Sequence, residues 1–372
     1  MTTELATTHD LRASGRDVLR TSKVPLVVAL FTIALIGIVV VGTTTADFAA
    51  DVHRVAGEDR YTTASHLAIE AYPDGAADVL LAAGQAFPDA LAAASLGGHI
   101  DGPLLLADDS RDEVPRPSLA ALAHLEPVRV HLIGGTAVLG EDVVAALRTA
   151  TNAEVIRYAG TDRFDTARLL AETYRPDQVG DLGEARTAIV VNGNEFADAL
   201  AAGPLAVAGR HPMLLTAPDA LSGAAATALA ELDIERVLLL GGEGAVTPTV
   251  EADLLDLDSV DRVDRLGGAD RYETAAIVAD LLEDVPVFAS GEHLLVTAGS
   301  TYPDALAAAP FAAVLGAPIL PIPDQGDDLG EPAERLLTER SETLVEVTMV
   351  GGAGVLSGDL EREMLSILRA GR

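Results

Sequence analysis

Short, wholly apolar runs alternate along this chain with longer segments whose apolar residues recur at helical spacing. In the first third, Val79–Ala83, Leu104–Leu106 and Val128–Ile133 are runs of the first kind. Tyr61–Ala71, a stretch from Asp89, Pro117–Leu125 and Glu141–Ala150 are segments of the second. A short apolar run bounded by Gly or Pro predicts a strand buried on both faces, as in a parallel sheet. Regular alternation with helices predicts βαβ units, and so a Rossmann-like α/β module with helices on both faces of its sheet.

One apolar run is of another kind. Val24–Gly42 holds 19 residues without a charge, and Thr32 is its only polar side chain. A helix of that length just spans a hydrocarbon core of roughly 30 Å. Arg12, Arg16, Arg20 and Lys23 precede it, so the positive-inside rule keeps residues 1–23 in the cytoplasm and exports the rest of the chain beyond the run. The run exceeds the usual apolar region of a cleaved signal, about 7–15 residues, which favours a transmembrane signal anchor over residues 24–42 in the lipid bilayer. The rival reading is secretion after cleavage near Thr44-Thr45-Ala46 and retention at the wall. Both place residues after about 47 outside the cell.

The remainder repeats itself. The block Arg54-Val-Ala-Gly-Glu-Asp-Arg-Tyr-Thr-Thr-Ala64 returns from Arg157 to Ala167 and from Arg265 to Ala275, as R-x-x-G-x-D-R-[YF]-x-T-A. The spacings are 103 and then 108 residues. Further landmarks keep step: Phe87-Pro-Asp-Ala-Leu-Ala, Phe196-Ala-Asp-Ala-Leu-Ala and Tyr302-Pro-Asp-Ala-Leu-Ala; then Pro-led strands at Pro103, Pro212 and Pro318; then Gly134-Gly135, Gly241-Gly242 and Gly351-Gly352. A domain-sized period means a tandem array of modules rather than a thin solenoid. The expected organisation is a cytoplasmic segment 1–23, a membrane helix 24–42, a linker 43–51, and repeats at 52–150, 155–257 and 263–370. The R-x-x-G-x-D-R block itself is expected to be a loop leading into a helix.

Composition narrows the chemistry. There is no Cys, which excludes disulfides, thiolate metal sites and a Cys nucleophile. The formal net charge is −32 and Lys23 is the only lysine. Such a surface repels nucleic acid, so no nucleic-acid partner is expected, and it keeps a protein soluble in salty settings. The sequence has no G-x-G-x-x-G, Walker lysine, H-E-x-x-H or G-x-S-x-G, and its histidines do not recur at matching repeat positions. No catalytic residue, metal site or cofactor is therefore expected. The double glycines are strand-to-helix junctions of a kind that can present N–H groups to an anion, but Gly is also the ordinary way to make such a turn.

Asp89, Asp198 and Asp304 stand at strand-to-helix turns and are expected to be structural helix caps. Thr63, Thr166 and Thr274 are expected to be helix-start hydroxyls. Arg60, Arg163 and Arg271 admit two readings: three equivalent anion-binding arms, or ion pairs that fix the loop. They head the ligand-binding candidates, with Leu104, Leu105, Met213, Leu214, Ile319 and Leu320 of the Pro-led segments.

These four landmarks, repeated three times over residues 52–370, closely resemble the cell wall-binding repeat type 2 family. The resemblance implies Rossmann/Toprim-like modules around a pseudo-threefold axis on a surface protein held non-covalently to an anionic secondary wall polymer. The chain is expected to depart from the family pattern in lacking a separate effector domain and in carrying a membrane anchor, and its acidity disfavours an anionic polymer unless Arg is locally focused. Pro321 is expected to end its strand early, which would impair the third site if the Pro-led segments line a groove. Alternatives to polymer binding are a structural surface module that binds a protein partner, and a modifier or hydrolase of peptidoglycan.

Overall fold

A computed structural model describes residues 50–323 and 328–371. The membrane helix expected over 24–42 and its flanking segments lie outside the described residues. Among the described residues no helix is long and apolar enough to cross a membrane. Residues from Phe48 to Arg372 form one compact unit.

The elements alternate as the apolar pattern predicts. The first repeat holds β1 (Asp51–Val55), α1 (Arg60–Ala71), β2 (Asp78–Ala83), α2 (Phe87–Ile100), β3 (Leu104–Ala107), α3 (Arg116–Leu125), β4 (Arg129–Ile133) and α4 (Glu141–Ala150). The second holds β5 (Glu154–Tyr158), α5 (Arg163–Ala171), β6 (Asp181–Leu182), β7 (Ala185–Asn192), a 3-10 turn at Ala199–Ala202 running into α6 (Gly203–Gly209), β8 (Met213–Thr216), α7 (Gly223–Glu231), β9 (Arg236–Leu240) and α8 (Pro248–Leu255). The third holds β10 (Arg262–Leu266), α9 (Arg271–Leu282), β11 (His293–Ala298), α10 (Pro303–Leu315), β12 (Ile319–Ile322), α11 (Glu331–Glu339), β13 (Glu346–Val350) and α12 (Gly358–Ala370).

The strands form separate sheets in the orders β3-β2-β4-β5, β8-β7-β9-β10 and β12-β11-β13-β1, parallel except for the short β6 pairing against β7. The opening block of each repeat is therefore not simply a loop. It begins in an edge strand, and that strand belongs to the sheet of the repeat before it: β5 pairs with β4, and β10 with β9. The same rule closes the array on itself. β1, at the start, pairs in parallel with β13, near the end, from Asp51 opposite Glu346 to Val55 opposite Val350.

The cores follow from this arrangement. Central strands such as β2 are buried at every position, matching the apolar run Val79–Ala83, and even Asp78 at its start is buried, paired with Arg129 and His131. The Ala-rich helices α2, α6 and α10 pack on one another, which small side chains permit, and their apolar faces join the inner faces of the sheets in one shared cluster. Separate clusters fill the outer faces of the first two sheets. Contacts between modules recur cyclically: α5 packs on α2, α9 on the Ala199–Ala202 turn, and α1 on α10.

Two expectations for the Pro-led segments fail. Leu104, Leu105, Met213, Leu214, Ile319 and Leu320 are each at most 1% exposed, so they are core and line no groove. All four positions of each of their strands are buried. Pro321 does not end its strand: β12 runs through it to Ile322, paired with β11. A proline is tolerated there because β12 is the edge of its sheet, where a missing N–H leaves no ladder bond unmade.

One buried histidine adds a pH-dependent contribution to stability. His211, ahead of β8, is 1% exposed, and its Nδ1 lies 3.1 Å from the Thr187 carbonyl oxygen. Burial pushes its pKa down to about 4, against hydrogen bonds to the Thr187 and Gly180 backbone that hold it up. The folded value lies below the ordinary 6.5, so the neutral ring stabilises the fold fully above that pH. The contribution is lost as pH falls from there through the folded value. Between pH 7.5 and 4 the wild type should lose about 3 kcal/mol more than His211→Gln in urea titrations. Equal losses would exclude this role.

Candidate functional site

The residues of the repeated block meet the next part of the ring at the carboxyl ends of the strands. The first Arg of each block fastens the double-glycine turn of the sheet it joins. Arg157 Nη1 donates to Gly134 O at 2.8 Å and Leu139 O at 2.7 Å. Arg265 Nη1 donates to Gly241 O at 2.9 Å and Val246 O at 2.8 Å. Arg54 does the same across the closure, to Gly351 O at 2.8 Å and Leu356 O at 3.1 Å. All three add a carboxylate, Arg54 with Glu361 at 3.3 Å, Arg157 with Glu141 at 3.9 Å and Arg265 with Glu251 at 2.9 Å.

The second half of the block builds a helix start. Asp59, Asp162 and Asp270 cap α1, α5 and α9, each accepting a backbone N–H of the first turn at 2.8–2.9 Å. Thr63, Thr166 and Thr274 accept the backbone N–H of Gly57, Gly160 and Gly268 at 3.0–3.1 Å. The aromatic residue packs against the glycine that ends the second strand: a Cβ added at Gly84 would meet Tyr61, and one at Gly193 would meet Phe164.

Asp89, Asp198 and Asp304 are not the caps expected from their position. The N-caps of α2 and α10 are Ala86 and Tyr302, and Asp198, which does stand at the N-cap of the Ala199–Ala202 turn, makes no side-chain capping bond there. Each carboxylate instead faces across the module boundary. Asp89 lies by Thr166 and Arg163, Asp198 by Thr274 and Arg271, and Asp304 by Thr63 and Arg60. Each also abuts the first glycine of a double-glycine turn, where a Cβ would lie 3.5, 2.9 and 3.3 Å from the carboxylate at Gly134, Gly241 and Gly351. Those glycines have φ of +124°, +103° and +135°, a region side chains avoid, so the turn requires glycine on conformational grounds as well.

Burial raises the pKa of all three aspartates against the pull of the arginine and threonine, and Asp304 is pushed up to about 6. Oδ1 of Asp304 is buried without a hydrogen-bond partner among the described residues. The cleft where Asp304 meets the first repeat encloses about 440 Å³. Glu58, Asp59, Arg60, Thr63, Asp304 and the Gly352–Gly354 turn line it.

Arg60, Arg163 and Arg271 enter these clefts from the helix starts. Each spends Nη1 on a strand-end carbonyl, of Gly84 at 2.6 Å, Gly193 at 2.8 Å and Gly299 at 2.7 Å. Among the described residues no ion pair joins any of the three to a carboxylate, so the loop-fixing bond is to backbone and the other N–H donors are not committed to an acid. Aromatic residues from the neighbouring loops lie beside them. The Tyr302 hydroxyl donates to Gly84 O at 3.1 Å, Arg271 lies 5.7 Å from the centre of the Phe196 ring, and the Phe196 and Tyr302 rings are 5.4 Å apart. Repetition in the sequence marks all these residues. It gives no sign that the partners of one block lie in the module before it.

Comparison with known proteins fits this cyclic arrangement. The family model "Cell wall binding domain 2 (CWB2)" matches residues 54–144, 157–251 and 265–361. N-acetylmuramoyl-L-alanine amidase LytC of Bacillus subtilis is 27% identical over 262 residues, covering 70% of this chain and 48% of that protein. The amidase enhancer of the same organism is 26% identical over 321 residues, covering 86% and 41%. Among solved structures, Cwp6 from Clostridium difficile superposes with a TM-score of 0.75 at 26% identity, over 86% of this chain and 48% of that one. Cwp8 from the same organism gives 0.72 at 26%, over 85% and 52%. The chain thus spans about half the length of these relatives, or somewhat less.

Proposed function

The chain belongs to the cell wall binding domain 2 family, and from that premise we propose that it is a non-catalytic cell-surface protein that binds an anionic wall polymer through the clefts between its modules. The observation that carries this reading is the threefold recurrence of one cleft geometry. Each combines an arginine with donors to spare, a threonine and a half-buried aspartate drawn from two modules. Guanidinium groups suit phosphate and carboxylate, and weak sites repeated on one rigid body bind a repetitive polymer with avidity. The focused arginines offset the repulsion that a net charge of −32 would otherwise exert on such a ligand.

In this account the module array sits in the cell envelope in a pseudo-threefold arrangement, outside the membrane that residues 24–42 cross. The amidase named among the relatives supports a second reading, in which the repeats bind a wall-active partner protein. Co-sedimentation with purified sacculi, before and after mild acid extraction of secondary polymers, separates the two. Binding that disappears on extraction supports the polymer. A folded protein that binds neither preparation excludes it.

A further inference from the structure

The three half-buried aspartates have no part in fastening the turns, which the first arginine of each block does, nor in capping, which Asp59, Asp162 and Asp270 do. They nonetheless recur in every repeat, each beside the one arginine of the cleft that lacks an acidic ion-pair partner. We propose that Asp89, Asp198 and Asp304 set the charge of the clefts, each competing as a carboxylate with an anionic ligand group for the neighbouring arginine, so that anion binding is coupled to uptake of a proton at these positions. The inference rests on the polymer-binding reading and specifies the ligand charge and the residue that selects for it.

The surroundings of each aspartate bear this out. Asp304 faces Arg60 and Thr63 from α1, with Glu58 and Asp59 on the same cleft wall and Tyr302 next along its own chain. Asp198 faces Arg271 and Thr274, with Asp270 and Glu195 nearby, and Asp89 faces Arg163 and Thr166, with Asp162 nearby. In each cleft one cation thus answers to at least two acids. A further anion cannot profit fully from the arginine while the half-buried carboxylate stays charged, because the two negative charges would share one partner. Protonation removes that competitor and leaves the side chain in place beside the threonine. The pKa of Asp304, about 6, places the change within the range a cell surface experiences.

The test uses the compact unit from Phe48 to Arg372 and polymer-bearing sacculi at constant ionic strength, with acid-extracted sacculi as the control. From a value near 6, the neutral fraction of Asp304 falls from about 0.9 at pH 5 to about 0.03 at pH 7.5, which allows a loss of affinity of up to ~30-fold at that cleft. Wild type should bind at least about tenfold more tightly at pH 5 than at pH 7.5. Asp89→Asn/Asp198→Asn/Asp304→Asn, which keeps side-chain size, should bind at pH 7.5 as wild type does at pH 5 and lose the pH dependence. Asp304→Asn alone should show a partial effect in the same direction, should the triple variant fold poorly. A triple variant with wild-type pH dependence, or one weaker than wild type at pH 5, overturns the proposal while leaving polymer binding intact. Absence of wild-type binding at every pH overturns the binding reading itself, and this proposal with it.

Discussion

Removing residues 50–56 should unfold the third module, although they lie almost 300 positions from the strand they support. β1 is the edge strand beside β13, and its loss removes a parallel ladder of five residue pairs. With it go the buried Ala50 and Val55 and the Arg54 bonds that fasten the Gly351 turn. A few ladder bonds at about 0.5–1.5 kcal/mol each, with a buried valine worth about 1.5–3 kcal/mol, approach the whole stability of an ordinary domain, about 5–15 kcal/mol. The truncated protein should show early protease cleavage within residues 293–370 and a melting transition that is broad or absent. The topology also supplies a rescue. In the first module α4 passes to β5 through three residues, Thr151 to Ala153, and α8 leads to β10 through a slightly longer link. The end of α12 lies near Ser341, and the start of β1 bonds to the Val345 carbonyl, so the two ends are close. Residues 50–56 appended after residue 371 through a short flexible linker should restore the fold. A truncated protein that melts like wild type would show that β1 does not close the ring.

Replacing Arg60, Arg163 and Arg271 together with Ala should abolish retention on sacculi, with a loss of at least about 100-fold, since avidity across three sites multiplies what each contributes. Stability should fall far less. Each substitution removes one bond from Nη1 to a strand-end carbonyl, at about 0.5–1.5 kcal/mol apiece. Single substitutions should lose much less binding than the triple, because two clefts still hold the polymer. The contrasting substitution is Arg54→Ala, whose target is the Gly351 turn, so it should lower the melting temperature before it lowers binding. Thermal melts alongside the binding assay separate the two effects.

The sequence made the module legible, since strands such as β3 are wholly apolar and the landmarks recur at nearly fixed spacing. The assignment of strands to sheets was not legible. β1, β5 and β10 read Asp-Val-His-Arg-Val, Glu-Val-Ile-Arg-Tyr and Arg-Val-Asp-Arg-Leu, half-polar edge strands that repetition alone cannot attach to the sheet before or after them. The aspartates were misjudged for the same reason. A carboxylate in the first turn of a helix is ordinarily a cap, and only the neighbouring module, invisible to a reading of one repeat, sets Asp304 against Thr63 and Arg60. The Pro-led segments misled in the opposite sense, since recurrence that looks like a ligand groove reflects core packing of strands such as β8. Pro321 was read as a strand breaker because the sequence does not reveal that β12 is an edge.

Binding of the wall polymer by clefts shared between modules is tested most directly by measuring equilibrium binding of the folded unit to polymer-bearing sacculi, wild type beside Arg60→Ala/Arg163→Ala/Arg271→Ala. Saturable wild-type binding, lost both on acid extraction and in a triple variant with a cooperative melt, is the predicted result. Wild-type binding that the triple substitution leaves unchanged would place the polymer elsewhere on the molecule and contradict a role for the clefts.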